Sequence, residues 1–299
     1  MADPICWVVS PMLRDTESFL QLRDEVAAAC VADGRDLVLR HLVIDDSAGT
    51  DPDVNVLGGL EDVDVLTPPF NLGHQRAIVY GLRSLVPRLS PDDLVVTMDS
   101  DGEDRPADVP RLLGALDDGS AVLALAQRTK RSEPLRFLTM YLFFRIAFRI
   151  LTGTTVRSGN FAAQRAHSLA ATIHHPSFDL CYSSTLLELK QATIKVPCAR
   201  GHRFAGTSRM NSYALMAHGI RMLLPLSERI AVRMMLTAAA SAVALIVTLV
   251  LIAFGTFDDF AGTTIVAVLG LLWLTLFASF VTFVGLFSSF ARATGSPRG

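Results

Sequence analysis

The sequence carries little charge of either sign. Asp, Glu, Lys and Arg make up 19% of its 299 residues and nearly cancel, to a net charge of −2. Such a balance gives no basis for binding nucleic acid. Cysteine is scarce too: Cys6, Cys30, Cys181 and Cys198. None forms a C-x-x-C pair, and no Cys or His stands at zinc-ligand spacing. The four read as reduced thiols of a part that faces the cytosol. The N-terminus, MADPICWVVSPMLRD, lacks the basic start and long apolar core of a signal peptide. The N-terminal part is therefore expected to stay on the side of the membrane where it is made. Internal repeats and low-complexity stretches are absent.

Apolar residues are abundant. They make up 51% of the chain, and mean hydropathy is +0.39, high for a soluble protein. The excess lies after residue 230. Met234 to Phe254 holds 21 residues without a charge, and Phe260 to Phe290 holds 31. At 1.5 Å per residue the first is about 32 Å long, enough to cross a bilayer core. The second is longer than a perpendicular span needs and should tilt or emerge. The short connector GTFDD makes the pair a hairpin. Arg221, Arg229 and Arg233 precede it, Arg292 and Arg298 follow it, and Asp258 and Asp259 sit between. By the positive-inside rule both termini are cytosolic.

The remainder alternates between strand and helix patterns. Residues 5–10 form an apolar run that ends at Pro11, followed by a helical pattern through Phe19, Leu22, Val26 and Ala29. LVLRHLVIDDSAGT reads as a strand ending in acids, VDVLT as a weaker strand, and PPFNLGHQRAIVYGL as a loop and helix. DDLVVTMDSD is a strand ending in acids, RPADVPRLLGAL a helix, and AVLALAQR a strand. This order predicts an α/β domain with a mostly parallel sheet. Ligands in such sheets bind beyond the carboxyl ends of the strands, where the acids at 45–46 and 99–104 fall.

The stretch most suited to chemistry is VVTMDSDGEDRP, residues 95–106. A buried strand runs into Asp99, Asp101 and Glu103, and alternate residues of an extended chain point the same way. Three carboxylates facing one point suit a hard cation, Mg²⁺ or Mn²⁺. Such an ion commonly completes its shell with phosphate oxygens and neutralises a departing diphosphate.

With these residues in place, the chain resembles the family 2 polyprenyl-phosphate glycosyltransferases. These are the dolichyl-phosphate mannose synthase type, here in the bacterial form with two C-terminal transmembrane helices. The matching pieces run in order. They are Val8-Val9-Ser10-Pro11, Ile44-Asp45-Asp46-Ser47, Asn71-Leu72-Gly73 with Ala77 and Gly81, the 99–106 stretch, Gly159-Asn160-Phe161, and Arg203 to Arg209. The resemblance implies a glycosyltransferase-A (Rossmann-like) domain over residues 1–210 and an interfacial amphipathic segment over 211–232. A transmembrane hairpin over 233–291 would follow, with spans at about 234–254 and 262–290, and a cytosolic tail over 292–299. It also implies residue roles. Pro11, Asp15 and Asp46 would line the nucleoside pocket, with Asn71 on the donor side. Asp99, Asp101 and Glu103 would hold the metal. Arg128 and Arg136 would meet donor and acceptor phosphates, Arg131 and Asn160 the acceptor. Arg203, Ser208 and Arg209 would close over the diphosphate. This chain has Arg14-Asp15 where the family often has Asn-Glu. It has Asn160 where many members have aspartate, so no general base is carried over to that position.

The implied reaction moves a sugar from a nucleotide-diphosphate sugar to polyprenyl phosphate at the cytosolic face of a bacterial plasma membrane. A phosphate monoester is largely dianionic at neutral pH and needs no general base. It does need cations beside a site that already holds a diphosphate. Arg128, Lys130, Arg131, Arg136, Arg145 and Arg149, interleaved with apolar residues, form an amphipathic stretch suited to that task and to the bilayer surface. One displacement inverts the anomeric centre. The alternatives are a lipid acceptor without phosphate and a non-catalytic nucleotide-sugar-binding membrane module. His174-His175 beside Pro176 reads as a loop, while His74 and His202 are candidates for donor and phosphate contacts. Small residues in TAAASAVA permit close helix packing, and with it a homo-oligomer.

Overall fold

The computed structural model describes residues 4–35, 37–128, 135–155, 158–205, 212–254 and 259–294. They group into two compact units, Met1–Met140 with Val156–Pro225, and Tyr141–Thr155 with Leu226–Gly299.

The first unit is built on a seven-stranded sheet. Its strands are β1 (Ile5–Met12), β2 (Val38–Asp45), β3 (Val63–Leu66), β4 (Leu94–Thr97), β5 (Leu123–Arg128), β6 (Ser158–Arg165) and β7 (Thr193–Cys198), in the order β3-β2-β1-β4-β6-β5-β7. Strands β1 to β4 are mutually parallel, as the alternation of elements predicts. The departure is β6, which runs antiparallel to both β4 and β5. Its sequence, SGNFAAQR, carries little β-branched character. Its place is set by what it packs into: Phe161, Ala162 and Ala163 are buried between the two neighbouring strands.

Side chains alternate between the two faces of the sheet, as a period of two requires. Val8, Val43 and Val96 join one core with Phe19, Leu22, Val26 and Cys30 of α1 (Thr16–Ala32) and Leu112 of α3 (Val109–Gly114). Val9, Ile44 and Val95 join the other with Ile78, Leu82 and Leu85 of α2 (His74–Leu85), Leu169 of α5 (Ala166–Thr172) and Tyr182 of α6 (Tyr182–Glu188). On α1 it is Cys30, not Ala29, that completes the buried face. Strand β1 also runs past its proline: Pro11 pairs with Ile44, and Met12 with Asp45. Beyond Val9 no β4 residue pairs with β1, so the missing N–H breaks no ladder bond to that strand.

In the second unit α8 (Ser227–Ala253) packs along α9 (Asp259–Thr294). The small residues Ala238 and Ser241, one turn apart, belong to the buried face of α8. Both helices are long and apolar enough to cross a membrane. Most of their large apolar side chains, among them Leu236, Val243, Ile246, Leu271 and Phe277, are exposed. A soluble core helix would bury such residues. The 36 residues of α9 extend it well past one bilayer core, as its charge-free length predicts. Its neighbour α8 is tied to the end of α4 (Leu135–Thr152) by two arginines. Arg233 Nη1 donates to the Ile150 carbonyl at 3.2 Å, and Arg229 Nη1 to Thr154 Oγ1 at 3.4 Å.

Candidate active site

The acids gather at the carboxyl ends of the parallel strands. Asp45 closes β2, and Asp46 begins the following turn. Both oxygens of Asp46 are occupied, accepting from the backbone N–H of Leu72 at 2.6 Å and of Gly73 at 3.0 Å. Its carbonyl accepts from Asn71 Nδ2 at 2.7 Å. Gly73 takes φ +77 to turn the chain into α2, a conformation that favours glycine. The Asp46 and Asn71-Leu72-Gly73 motifs, far apart in sequence, thus form one loop anchor. Its neighbour Asp45 lines a cavity of about 530 Å³, together with Thr50, Asp51, Val54, Asn55 and Thr67. Beyond the adjacent end of β1, Arg14 has φ 51 and donates to Thr50 Oγ1 at 3.5 Å. Asp15 is the residue before α1, and its side chain makes no cap to the helix.

The acids after β4 are held individually. Asp99 Oδ1 accepts from Asn160 Nδ2 at 2.8 Å and lies 3.1 Å from His74 Nε2. The main chain of Asn160 is pinned in turn, because Thr97 Oγ1 donates to its carbonyl at 2.5 Å. Asp101 Oδ2 lies 2.5 Å from Arg203 Nη2, and Glu103 Oε2 lies 2.5 Å from Arg200 Nη2. Asp104, buried, accepts from the Asp99 N–H and faces Arg128 Nη2 at 3.6 Å. Burial, and then the charge of Asp99, push the Asp101 carboxyl up to about 6. The same two causes raise Asp104. On α7 (Ser212–Leu223), His218 is lowered by burial and by neighbours that include His74.

Among the described residues, no three His, Cys, Asp or Glu side chains cluster closely enough to enclose a metal ion. The donors nonetheless fit a hard divalent cation. Mg²⁺-type sites need only one or two carboxylates and complete their shell with water and substrate phosphate. Asp99 and Asp101 are oxygen donors whose mutual repulsion a cation would relieve. Glu103 is a third oxygen donor, and in this structure it faces Arg200 and Arg203. Arg131, Ser208 and Arg209 lie outside the described residues, as does the side chain of Arg136. The role that Arg200 takes in this geometry has no short-range signal, because its partner Glu103 is a tertiary neighbour. Of the histidines, His175 Nδ1 accepts from Ser177 N–H at 3.3 Å and caps a turn, in keeping with a loop.

A model of the family described as "Glycosyl transferase family 2" matches residues 23–173, half of the chain. The chain belongs to glycosyl transferase family 2. Among curated relatives, it is 26% identical over 219 residues to an undecaprenyl-phosphate 4-deoxy-4-formamido-L-arabinose transferase of Enterobacter sp. (strain 638). That match covers 68% of this chain and 61% of the relative. A protein of the same name from Edwardsiella ictaluri (strain 93-146) is 25% identical over 224 residues, covering 70% and 63%. The chain thus spans about three fifths of the length of these relatives. Among solved structures, glucosyl-3-phosphoglycerate synthase from Mycobacterium tuberculosis, in complex with Mn²⁺, UDP and phosphoglyceric acid, has a TM-score of 0.50 at 17% identity. The likeness covers 76% of this chain and 78% of that one. Mannosyl-3-phosphoglycerate synthase from Rubrobacter xylanophilus gives a TM-score of 0.50 at 15% identity, covering 76% and 74%. These likenesses are of fold: the family 2 domain here has the glycosyltransferase-A architecture, followed by two helices of membrane-spanning length.

Proposed function

We propose that this family 2 protein transfers a sugar from a nucleotide-diphosphate donor to polyprenyl phosphate, giving a lipid-linked monosaccharide with inverted anomeric configuration. One observation carries the reading. A family 2 chain that continues into two membrane-length helices sets Asp101, Glu103 and Asp104 beside Arg203, Arg200 and Arg128 at the carboxyl end of its parallel strands. The names of the curated relatives, undecaprenyl-phosphate sugar transferases, support a phosphorylated lipid as acceptor.

In this reading the nucleoside lies against Pro11, Asp15 and the anchor made by Asp46 and Asn71. Asp99, Asp101 and Glu103 would hold a divalent cation, Mg²⁺ or Mn²⁺, which when bound neutralises charge on the departing nucleoside diphosphate. Arg203, Ser208 and Arg209 grip the diphosphate. Arg128, Arg131 and Arg136 draw the lipid phosphate towards it, each guanidinium offering a fork to phosphate oxygens. Asn160 orders Asp99 through its side-chain amide. The phosphate, largely a dianion, attacks the anomeric carbon as the nucleoside diphosphate leaves. An amide at position 160 is compatible with a nucleophile that has no proton to give up. Arg221, Arg229 and Arg233 on one side of the hairpin, against Asp258 and Asp259 in its connector, favour a cytosolic domain and cytosolic termini.

The test incubates full-length protein with a short polyprenyl phosphate, Mn²⁺ and a panel of nucleotide sugars, read by mass spectrometry. One donor is expected to yield polyprenyl-phosphate monosaccharide. Equal transfer to dephosphorylated polyprenol, or no transfer from any donor, overturns the reading.

A further inference from the structure

The acids after β4 are neutralised by the chain's own arginines, and we propose that this pairing is a placeholder. Arg200 and Arg203 occupy Glu103 and Asp101 until a donor diphosphate arrives, so that cation and donor bind as a coupled pair. The inference rests on the reading that these acids hold a divalent cation.

Two layers of contact support it. The first is ionic. Arg203 Nη2 lies 2.5 Å from Asp101 Oδ2 and its Nε 3.6 Å from Glu103 Oε1, while Arg200 Nη2 lies 2.5 Å from Glu103 Oε2. The second is a backbone strap over residues 200–205. Gly201 N–H donates to the Glu103 carbonyl and Phe204 N–H to that of Asp101, both at 2.9 Å, and Arg200 forms an antiparallel bridge with Asp104. Two glycines let the strap lie flush. Gly102 takes φ +83, and a Cβ there would fall 2.7 Å from the Phe204 ring. A Cβ on Gly201 would collide with the Gly102 carbonyl. The Phe204 ring packs against the core on the α1 side of the sheet, which seats the strap.

A guanidinium fork matches carboxylate and phosphate alike. Without donor, a cation entering beside Asp99 must displace arginines from Asp101 and Glu103, and those ion pairs are lost with nothing offered in exchange. With donor, the diphosphate offers the arginines new oxygens, and the same exchange frees the carboxylates. Each ligand then raises the affinity of the other by one common factor. Arg200 is a positioning residue, acting through Glu103.

The experiment measures Mn²⁺ affinity of the full-length protein in detergent, from the electron paramagnetic resonance signal of free Mn²⁺, alone and with UDP or GDP. Wild type is expected to bind Mn²⁺ weakly alone and on the order of tenfold more tightly with the accepted nucleotide. Arg203→Ala and Arg200→Ala should tighten nucleotide-free binding by a similar factor and shrink the nucleotide effect. Phe204→Ala removes no charge but unseats the strap, and it should act in the same direction. Asp99→Asn should lose Mn²⁺ binding with or without nucleotide. Equal wild-type affinity with and without nucleotide overturns the coupling. A gain with Arg203→Ala but none with Phe204→Ala overturns the strap, leaving only a change of local charge. No Mn²⁺ binding by wild type under any of these conditions overturns the cation reading itself, and this inference with it.

Discussion

Asn160 Nδ2 donates to Asp99 Oδ1 across 2.8 Å, joining the one antiparallel strand among the described residues to the acids that follow β4. A hydrogen bond to a charged group contributes about 1.5–3 kcal/mol. Asn160→Ala is therefore expected to lower kcat/KM for the donor by roughly ten- to a hundredfold. Steady-state kinetics with each substrate varied separately checks this. A loss confined to the polyprenyl-phosphate dependence would place Asn160 on the acceptor alone.

Asp101→Asn should abolish transfer, and EDTA should do the same until Mg²⁺ or Mn²⁺ is restored. Stability should move the other way. The Asp101 carboxyl is raised from 3.8 to about 6, so the folded state favours its protonated form. Its contribution to stability is therefore present below about pH 4 and lost as pH rises to about 6. At pH 7 the ligand-free Asp101→Asn protein should melt higher than wild type, by at most about 3 kcal/mol in free energy. The advantage should vanish near pH 4. Thermal melts at both pH values decide it, and a lower melting temperature at pH 7 would refute the electrostatic account.

Arg136 tests the acceptor. Arg136→Ala should weaken the dependence on polyprenyl phosphate by roughly ten- to a hundredfold, with less effect on the donor. Arg136→Lys should recover only part, since a point charge replaces a fork. An unchanged acceptor titration in Arg136→Ala would remove this arginine from the lipid phosphate.

Gly81 reports on packing. A Cβ there would sit 2.5 Å from Ile44 Cδ1 and 2.7 Å from its Cγ1, between α2 and β2. Ile44 is itself fully buried, so it must move within a packed core. Gly81→Ala is expected to destabilise the domain by about 1–3 kcal/mol, measured by chemical denaturation. A stability equal to wild type would show that α2 can shift off the sheet.

For topology, a reporter fused after Gly299 should read cytosolic and one inserted at Asp258 should read external, from the arginine asymmetry around the hairpin. Cytosolic signal at both positions would mean that α8 and α9 do not cross the bilayer.

Much of the architecture is legible in the chain because it depends on local pattern. Near-continuous apolar runs ending in acids marked β2 and β4. Two long charge-free runs marked α8 and α9, and the loop-then-helix pattern of PPFNLGHQRAIVYGL marked α2. Strand β6 was not legible, since SGNFAAQR lacks a clear alternation and owes its strand state to neighbours already in the sheet. In β7, TIKVPC does alternate, but Pro197 within it argues against a strand. The candidate site divides in the same way. That acids cluster after β4 follows from the sequence, because a buried strand must deliver whatever follows it to the sheet's edge.

The sequence by itself determined which residues carry charge at the ends of the strands, and which helices are too apolar to stand in water. Only the tertiary structure decided who partners whom. It used both oxygens of Asp46 to hold the turn at Leu72 and Gly73, left Asp45 lining the cavity, and folded Arg200 and Arg203 onto Glu103 and Asp101. The reason is physical. Hydropathy and periodicity act over a few residues. A carboxylate takes whichever donors the finished fold brings within about 3 Å, and those donors come from segments up to 102 positions away, as with Asp101 and Arg203.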